Sequence, residues 1–517
     1  MQMNGIEYAR RQPEKSDLYK IVSKSFQSFF RDRREEGRYF PEYIHKEFES
    51  YLKCGILSYG FVRLKCQNIE CSKEKVVAFS CKKRGFCPSC ASKRMVETSE
   101  HLMDNILPLV PYRQFVVTFP VPLRYLINSN KNLFKKVHKI VISLIHSHYT
   151  NSNKTHLAGS ISFHQRFGSD LRLNPHLHIL CPDGKYIKSK DNLRFSEGSL
   201  LTEKEVRDLL TAISAKIRKL LIRNGYLSES GDLVHNPLKD RIFEDYEGME
   251  SAAYNSMKGK IAFGENAGSF VTRLGMGFGY AEEVPKFKSK LCYSLHGFSI
   301  HAATRVNTHR RERLAKLVRY MSRGAVSNKR IKIVTEPSGH KWVRLKLKTP
   351  YSDGTTHLRF SFSEFIEKLV AITPAPRGHL VRWGGVFASA SPYRKKIVLR
   401  PEVCKGFKFE ENEASSETEK VKENLKNSSW ARLLSKVFGI DVLKCGCGSE
   451  LKPVSAIIKG DEIKRYLRHL GLDADPPDLA ETESEDKSFT FSLFEAASYE
   501  EVGAQVHPEE FPVINHD

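Results

Sequence analysis

No run of about 18 apolar residues occurs in the 517-residue chain, so the sequence contains no evident membrane-spanning helix. The N-terminus, MQMNGIEYARRQPEKSDLYK, is polar and leads into no apolar segment. A secretory signal is therefore not visible, and a reducing, cytoplasmic compartment is expected. No repeat of roughly 20 to 50 residues is evident, which excludes a solenoid or propeller. Carboxylates are scarce: 60 stand against 83 lysines and arginines, for a net charge of +23 and a pI near 9.4. Such an excess attracts polyanions, most often nucleic acid. The body of the chain is more basic still, because residues 481–517 hold ten carboxylates and one lysine. That stretch reads as an acidic, disordered tail. A chain this long is expected to form roughly two to four domains.

The eleven cysteines are unevenly spread: six lie between Cys54 and Cys90, and Cys445 and Cys447 form a further pair. Short spacings without a signal peptide favour metal over disulfides. Cys87-Pro88-Ser89-Cys90 is a Cys-x-x-Cys turn, and Cys66 and Cys71 form a looser pair. Two such turns about twenty residues apart can supply the four thiolates of a tetrahedral structural zinc site. Cys66, Cys71, Cys87 and Cys90 are thus the expected zinc ligands. Cys81 is an alternative to Cys71, and Cys54 reads as a packing residue. The basic KKRG between the turns predicts contact with nucleic acid.

Strands and helices alternate through the middle of the chain. KSDLYKIVSKSFQSFFRDRREEG and MVETSEHLMDNILPLV read as helices on either side of the cysteine cluster. RQFVVTFP is a strand, NLFKKVHKIVISLIHSHYT a helix, and AGSISFHQRFG and PHLHILCPDG are strands joined by SDLRLN. A capping box from Thr202 to Glu205 opens a helix that Gly225 closes. GFSIHAATRVN is a further strand and RRERLAKLVRYMSRG a further helix. The pattern predicts an α+β domain with a central antiparallel sheet flanked by helices. Later come the short strands HKWVRLKLKT and TTHLRFSF, a helix near SEFIEKLVAI, and a charged linker. The helix SWARLLSKVFGID then runs into the Cys445 turn, and DEIKRYLRHLG is the last helix.

Two elements suggest chemistry. In PHLHIL, His176 and His178 stand on one face of a strand. Taken alone they are most simply two strand histidines. With ISFHQRF antiparallel beside them, Phe163, Gln165 and Phe167 share one face and His164 takes the other. A third ligand from that strand would complete a site open on one side, as a catalytic divalent ion needs. Imidazole, amide oxygen and water suit Mg2+, Mn2+ or Zn2+. The second element is the helix RERLAKLVRYM, where Leu314, Leu317, Val318 and Met321 form an inward stripe. Tyr320 falls at its edge, on a flank shared with Arg313, Lys316 and Arg323, cations that would hold a phosphate beside the phenol. An ordinary tyrosine at the edge of an amphipathic helix is the plainer alternative.

Together these motifs resemble the HUH single-strand endonucleases, and within them transposases of the insertion-sequence-91 class. LNPHLHILCPDG resembles that class's His-hydrophobe-His strand and QRFG the strand before it. SCKKRGFCPSCASKR is similar to its N-terminal zinc-binding domain, and RERLAKLVRYMSRGAVSNKRI to its catalytic-tyrosine helix. LHGFSIHA, DGTTHLRFSFSEFIEKLVAITPAPRGHLVRWGGVFA and WARLLSKVFGIDVLKCGCGSELKPVSAI also resemble family blocks, so the likeness spans residues 45 to 480. It implies a rolling-circle transposase acting on single-stranded DNA at element ends and on target DNA. His176 and His178 would hold Mg2+ or Mn2+ and Tyr320 would form a 5′-phosphotyrosine. The third ligand implied is Gln165, with His164 and His301 as competitors, and Arg313, Lys316 and Arg323 would bind DNA. A replication initiator or relaxase with the same chemistry, or a non-catalytic zinc-binding DNA-binding protein, are the alternatives.

The expected layout is a helical segment over 1–45, a zinc-binding DNA-contact domain over 46–105 and an HUH domain over 106–340. A β-rich extension over 341–400, a linker over 401–428, a C-terminal helical segment over 429–480 and the tail over 481–517 follow. Two positions depart from the family pattern. Lys316 stands where some members carry a second tyrosine. Cys445-Gly446-Cys447 replaces a Cys-x-x-Cys and has no second pair downstream, which puts a second zinc site in doubt.

Overall fold

The computed structural model describes residues 12–189, 192–231, 234, 246–275, 291–351, 353–399 and 445–477. The predicted linker, the SWARLLSKVFGID helix and the acidic tail lie outside the described residues. Among the described residues no helix is long and apolar enough to cross a membrane.

The predicted central antiparallel sheet is present. In spatial order its strands are Cys292–Leu295, Phe298–His301, Tyr112–Thr118, Leu173–Pro182, Gly159–Phe167 and Val381–Gly385. A short strand, Arg305–Val306, also pairs with Tyr112–Thr118. Alternation along Leu173–Pro182 divides the two layers. Leu177, Ile179 and Cys181 pack beneath the helices Lys131–Thr150 and Glu203–Arg223, against Val137, Val141, Ile213 and Ile217. The opposite face carries His176 and His178 and, further along, Leu180, which packs with Ile161 and Phe163. That face is covered by the helix Arg311–Met321, whose Leu314, Leu317, Val318 and Met321 are all buried as its stripe predicts.

Local signals explain the element ends. Glu203–Arg223 opens at the predicted capping box, with Glu205 N donating to Thr202 Oγ1 at 3.2 Å and Thr202 N to Glu205 Oε2 at 2.8 Å. It ends at Asn224, followed by Gly225 in the left-handed region at φ +72°. The helix Pro88–His101 widens into a π turn over Leu102–Ile106, which leaves carbonyls without helical partners. Arg311 from the next layer supplies the donors, reaching Met103 O at 2.7 Å and Leu107 O at 3.1 Å.

Two smaller sheets correct the expected layout. Ile331–Thr335, Lys341–Lys346, His357–Phe360 and Thr272–Leu274 form a four-stranded sheet that packs with the helices Asp17–Glu35 and Phe362–Ile372. The β-rich extension is therefore divided, because Val381–Gly385 leaves it to edge the central sheet against Gly159–Phe167. The C-terminal stretch is not purely helical: Leu451–Ile457 is a strand paired with Phe61–Cys66, whose other neighbour is Glu74–Ala78.

At the end of the central sheet away from the histidines, Asp183 accepts hydrogen bonds from Arg113 Nε at 2.8 Å, Arg305 Nε at 2.6 Å and Tyr149 OH at 3.0 Å. This joins two strands, the Arg305 segment and the helix above them. Burial alone would raise the Asp183 carboxyl, but the two guanidiniums hold it below the ordinary carboxylate value. Removing one partner from a buried pair leaves the other charge uncompensated, so Asp183→Asn should cost about 3–5 kcal/mol at neutral pH, measured by denaturant unfolding. A carboxyl lowered in the folded state stabilises fully above its unfolded value, about 3.9, and loses that effect as pH falls through the folded value. The deficit of Asp183→Asn against wild type should therefore narrow once the pH drops below that point.

Candidate active site

Strand register assembles the site. His176 lies between Thr118 on one neighbouring strand and Gln165 on the other, and His178 lies between Val116 and Phe163. Directly paired residues of an antiparallel sheet share a face. Gln165 thus stands beside His176, as the sequence predicts. The two imidazoles converge, with Nε2 atoms 3.1 Å apart. His176 Nδ1 donates to the Asn174 carbonyl at 2.6 Å, which leaves its Nε2 lone pair facing the shared space. His178 Nδ1 lies 2.7 Å from Gln114 Nε2. Burial pushes His176 down to about 4 and His178 well below the ordinary histidine range, so both rings are neutral.

The Gln165 amide has one end bound and one free. Its Nε2 donates to the carbonyls of Met321 at 2.8 Å and Tyr320 at 3.2 Å. Its Oε1 is buried and has no hydrogen-bond partner among the described residues. A buried amide oxygen left this way carries a desolvation cost that a cation would remove. Two imidazole nitrogens and an orphaned oxygen on one face fit a divalent ion. The two competitors are placed differently. His164 is on the opposite face, stacked on Phe134 at 4.2 Å. His301 shares the His178 row but is two strands away, about 10 Å by strand spacing.

Tyr320 projects from its helix onto this face. Its ring meets His178 edge to face, with centroids 5.6 Å apart, and the residue remains 40 % exposed, so a large substrate can reach it. Of the three predicted DNA-binding cations, Arg323 packs over the tyrosine ring at 4.8 Å. Lys316 is exposed one turn earlier, and Arg313 lies a further turn down the helix. Lys348, which the helix pattern could not show, approaches the same ring at 5.9 Å.

A shallow crevice opens beside Gln165, lined by Arg84 and Arg94 from the zinc-binding domain and by Arg166 and Arg323 from the central sheet and the end of the tyrosine helix. Burial pushes Arg166 down to about 10, which leaves it charged at neutral pH. The Nε atoms of Arg166 and Arg323 are buried without partners among the described residues. The KKRG run pointed to Arg84. Arg94 and Arg166 fall inside the SCKKRGFCPSCASKR and QRFG motifs, which assigned them no role.

Two family models match the chain: one described as "Putative transposase" over residues 159–395, and one described as a transposase zinc-binding domain of the insertion-sequence-91 type over residues 22–119. The chain belongs to the insertion-sequence-91 class of transposases. No curated protein and no solved structure matches it. As a transposase it cleaves DNA and transfers strands, so DNA is its partner.

Among the described residues, eight of the transposase's cysteines form two groups of four, not the expected quartet. Cys54, Cys81, Cys87 and Cys90 converge at one point, and Cys66, Cys71, Cys445 and Cys447 at another. The reason is the hairpin Phe61–Ala78. Cys54 and Cys81 flank its base, where Gly55 N donates to Phe79 O at 2.8 Å, and Cys66 and Cys71 sit at its tip. A six-residue strand keeps those ends roughly 17–20 Å apart. Cys81 is therefore grouped with Cys87 and Cys90 and does not substitute for Cys71. Cys54, read as packing, completes that group, with Sγ atoms 3.7 Å from Cys87 and 3.7 Å from Cys90. Tetrahedral thiolates with zinc–sulfur bonds of about 2.3 Å lie about 3.8 Å apart. This geometry, inside the matched zinc-binding domain, supports structural zinc. Cys54→Ser should lower bound zinc by one equivalent and reduce Tm. Cys181→Ser, in the core beneath the helices, should leave the metal content unchanged; elemental analysis and calorimetry check both.

Proposed function

We propose that this transposase has an HUH-type endonuclease domain and cuts single-stranded DNA at element ends, forming a 5′-phosphotyrosine at Tyr320 during rolling-circle transposition. The observation that carries the reading is the meeting of His176, His178 and the orphaned Gln165 oxygen with the exposed Tyr320 ring on one sheet face. The central antiparallel sheet, with its histidine pair on an inner strand under the tyrosine helix, supports the same reading.

His176, His178 and Gln165 are the residues to hold a divalent ion such as Mg2+ or Mn2+, which when bound would polarise the scissile phosphate. The Tyr320 oxygen attacks the phosphorus and gives up its proton to water as the P–O3′ bond breaks, and the leaving 3′-oxygen takes up a proton from water. A 5′-phosphate is left on the enzyme and a free 3′-hydroxyl on the other strand end. Arg323, over the tyrosine ring, and Arg166, lining the crevice nearby, offer guanidinium N–H groups to the phosphates. Lys316 in place of a second tyrosine makes Tyr320 the single nucleophile on this helix. Gln114 has a positioning role: with its amide turned so that Oε1 accepts from His178 Nδ1–H, it would leave the His178 Nε2 lone pair free for the metal.

Incubating the protein with single-stranded DNA from the element's ends and Mn2+ should yield a covalent adduct stable to denaturing electrophoresis. Tyr320→Phe should abolish it; an adduct that persists in that variant, or none with any divalent ion, refutes the mechanism. Gln114→Leu should raise the Mn2+ concentration giving half-maximal adduct by roughly 10–100-fold while leaving the yield at saturating metal close to wild type.

A further inference from the structure

We propose that Cys66, Cys71, Cys445 and Cys447 bind a second zinc ion, which staples the C-terminal segment 445–477 to the N-terminal domain. The four sulfurs come from opposite ends of the sequence. Cys66 and Cys447 Sγ are 3.5 Å apart across 381 residues, and Cys71 and Cys445 Sγ are 3.7 Å apart across 374. These separations are too long for disulfides, which close at about 2.05 Å, and close to the edge of a zinc tetrathiolate.

The backbone around the sulfurs is shaped to present them. Asn68 turns the chain before Cys71, accepting from Glu70 N on its side chain at 3.0 Å and from Cys71 N on its carbonyl at 3.0 Å. On the other side Cys445 N donates to Ser449 O and Gly448 N to Cys445 O, each at 2.9 Å. Gly448 sits at φ +89°, a conformation that side-chain-bearing residues rarely adopt. This tight turn lets a Cys-x-Cys spacing aim both thiols the same way. The pair thus needs no second cysteine pair downstream, because the hairpin tip supplies it. Leu64, Leu451, Val62 and Val77 form an apolar shell around the cluster. Four thiolates leave no open position, so the site is structural and not catalytic.

The strand that follows the turn depends on the staple. Leu451–Ile457 pairs with Phe61–Cys66 from Cys66↔Leu451 to Phe61↔Ile457, and Gln67 N donates to Glu450 O at 2.9 Å beside the cluster. The strand is largely exposed, and Val454 is 56 % accessible. Burial alone therefore holds it weakly. Beyond it the helix Gly460–His469 rests Ile463 and Leu467 on Leu57, Phe61 and Val76, and Tyr466 bonds to Glu74.

Elemental analysis of the protein purified without added metal should give two zinc ions per chain in wild type, one in Cys447→Ser, and two again in Cys447→His, which keeps a ligand at that position. Hydrogen exchange should show the Leu451–Ile457 amides losing protection in Cys447→Ser while those of Leu173–Pro182 keep theirs. One zinc per wild-type chain overturns the proposal whatever the variants do. Two ions retained by Cys447→Ser overturn it as well, as does iron in place of the second zinc.

Discussion

The pairing register of the strand Leu173–Pro182 is the constraint on which the site depends. One register sets His176 beside Gln165 and His178 beside Phe163, and sends Leu177 and Ile179 under the helices. Because side chains alternate, a slip of one residue would bury both imidazoles in the apolar layer and expose the leucine and isoleucine to the site. The apolar core and the polar site are therefore fixed by the same choice. The Asp183 network locks that choice at the far end of the sheet, where Arg113 and Arg305 reach one carboxylate from separate segments.

The tyrosine helix is held from two directions. Its stripe packs onto the sheet through Leu314, Leu317, Val318 and Met321, and its first turn is tied to the zinc-binding domain by Arg311 on the carbonyls of Met103 and Leu107. Ser99 adds a contact to the Ala315 carbonyl at 3.4 Å. Gln165 joins the two systems, since its amide nitrogen bonds the carbonyls at the end of this helix while its backbone pairs with His176. A change in the seating of the helix would move the tyrosine and the glutamine together. The histidine face and Tyr320 are thus one mechanical unit, beside a crevice lined both by Gln165 and the end of this helix and by Arg84 and Arg94 of the zinc-binding domain.

What the sequence showed of this followed from periodicity. The alternation in PHLHIL, the stripe from Leu314 to Met321 and the Thr202–Glu205 cap are local patterns, and each matches the structure. Pairings between distant segments were not legible. Nothing in the spacing of six clustered cysteines says that a hairpin will separate Cys66 and Cys71 from Cys87 and Cys90, or that Cys54 will join the latter. Likewise VRWGG reads as part of a late extension, yet its strand closes the edge of the central sheet. Arg94 and Arg166 fall inside motifs that assigned them no role. Only the fold makes them line one crevice.

The hairpin Phe61–Ala78 has a temporal consequence. Its tip cysteines are made early, while their sulfur neighbours lie 374 and 381 residues further along. At ribosomal rates of about 5–20 residues per second, that interval is roughly 20–75 seconds. Through it the Phe61–Cys66 strand has no partner on its outer edge, and an open edge is a template for pairing with another chain. Glu74 and Arg63, which face each other across the hairpin, give that edge a charged surface while it waits. The last described segment of the chain therefore serves as a cover for one of the first.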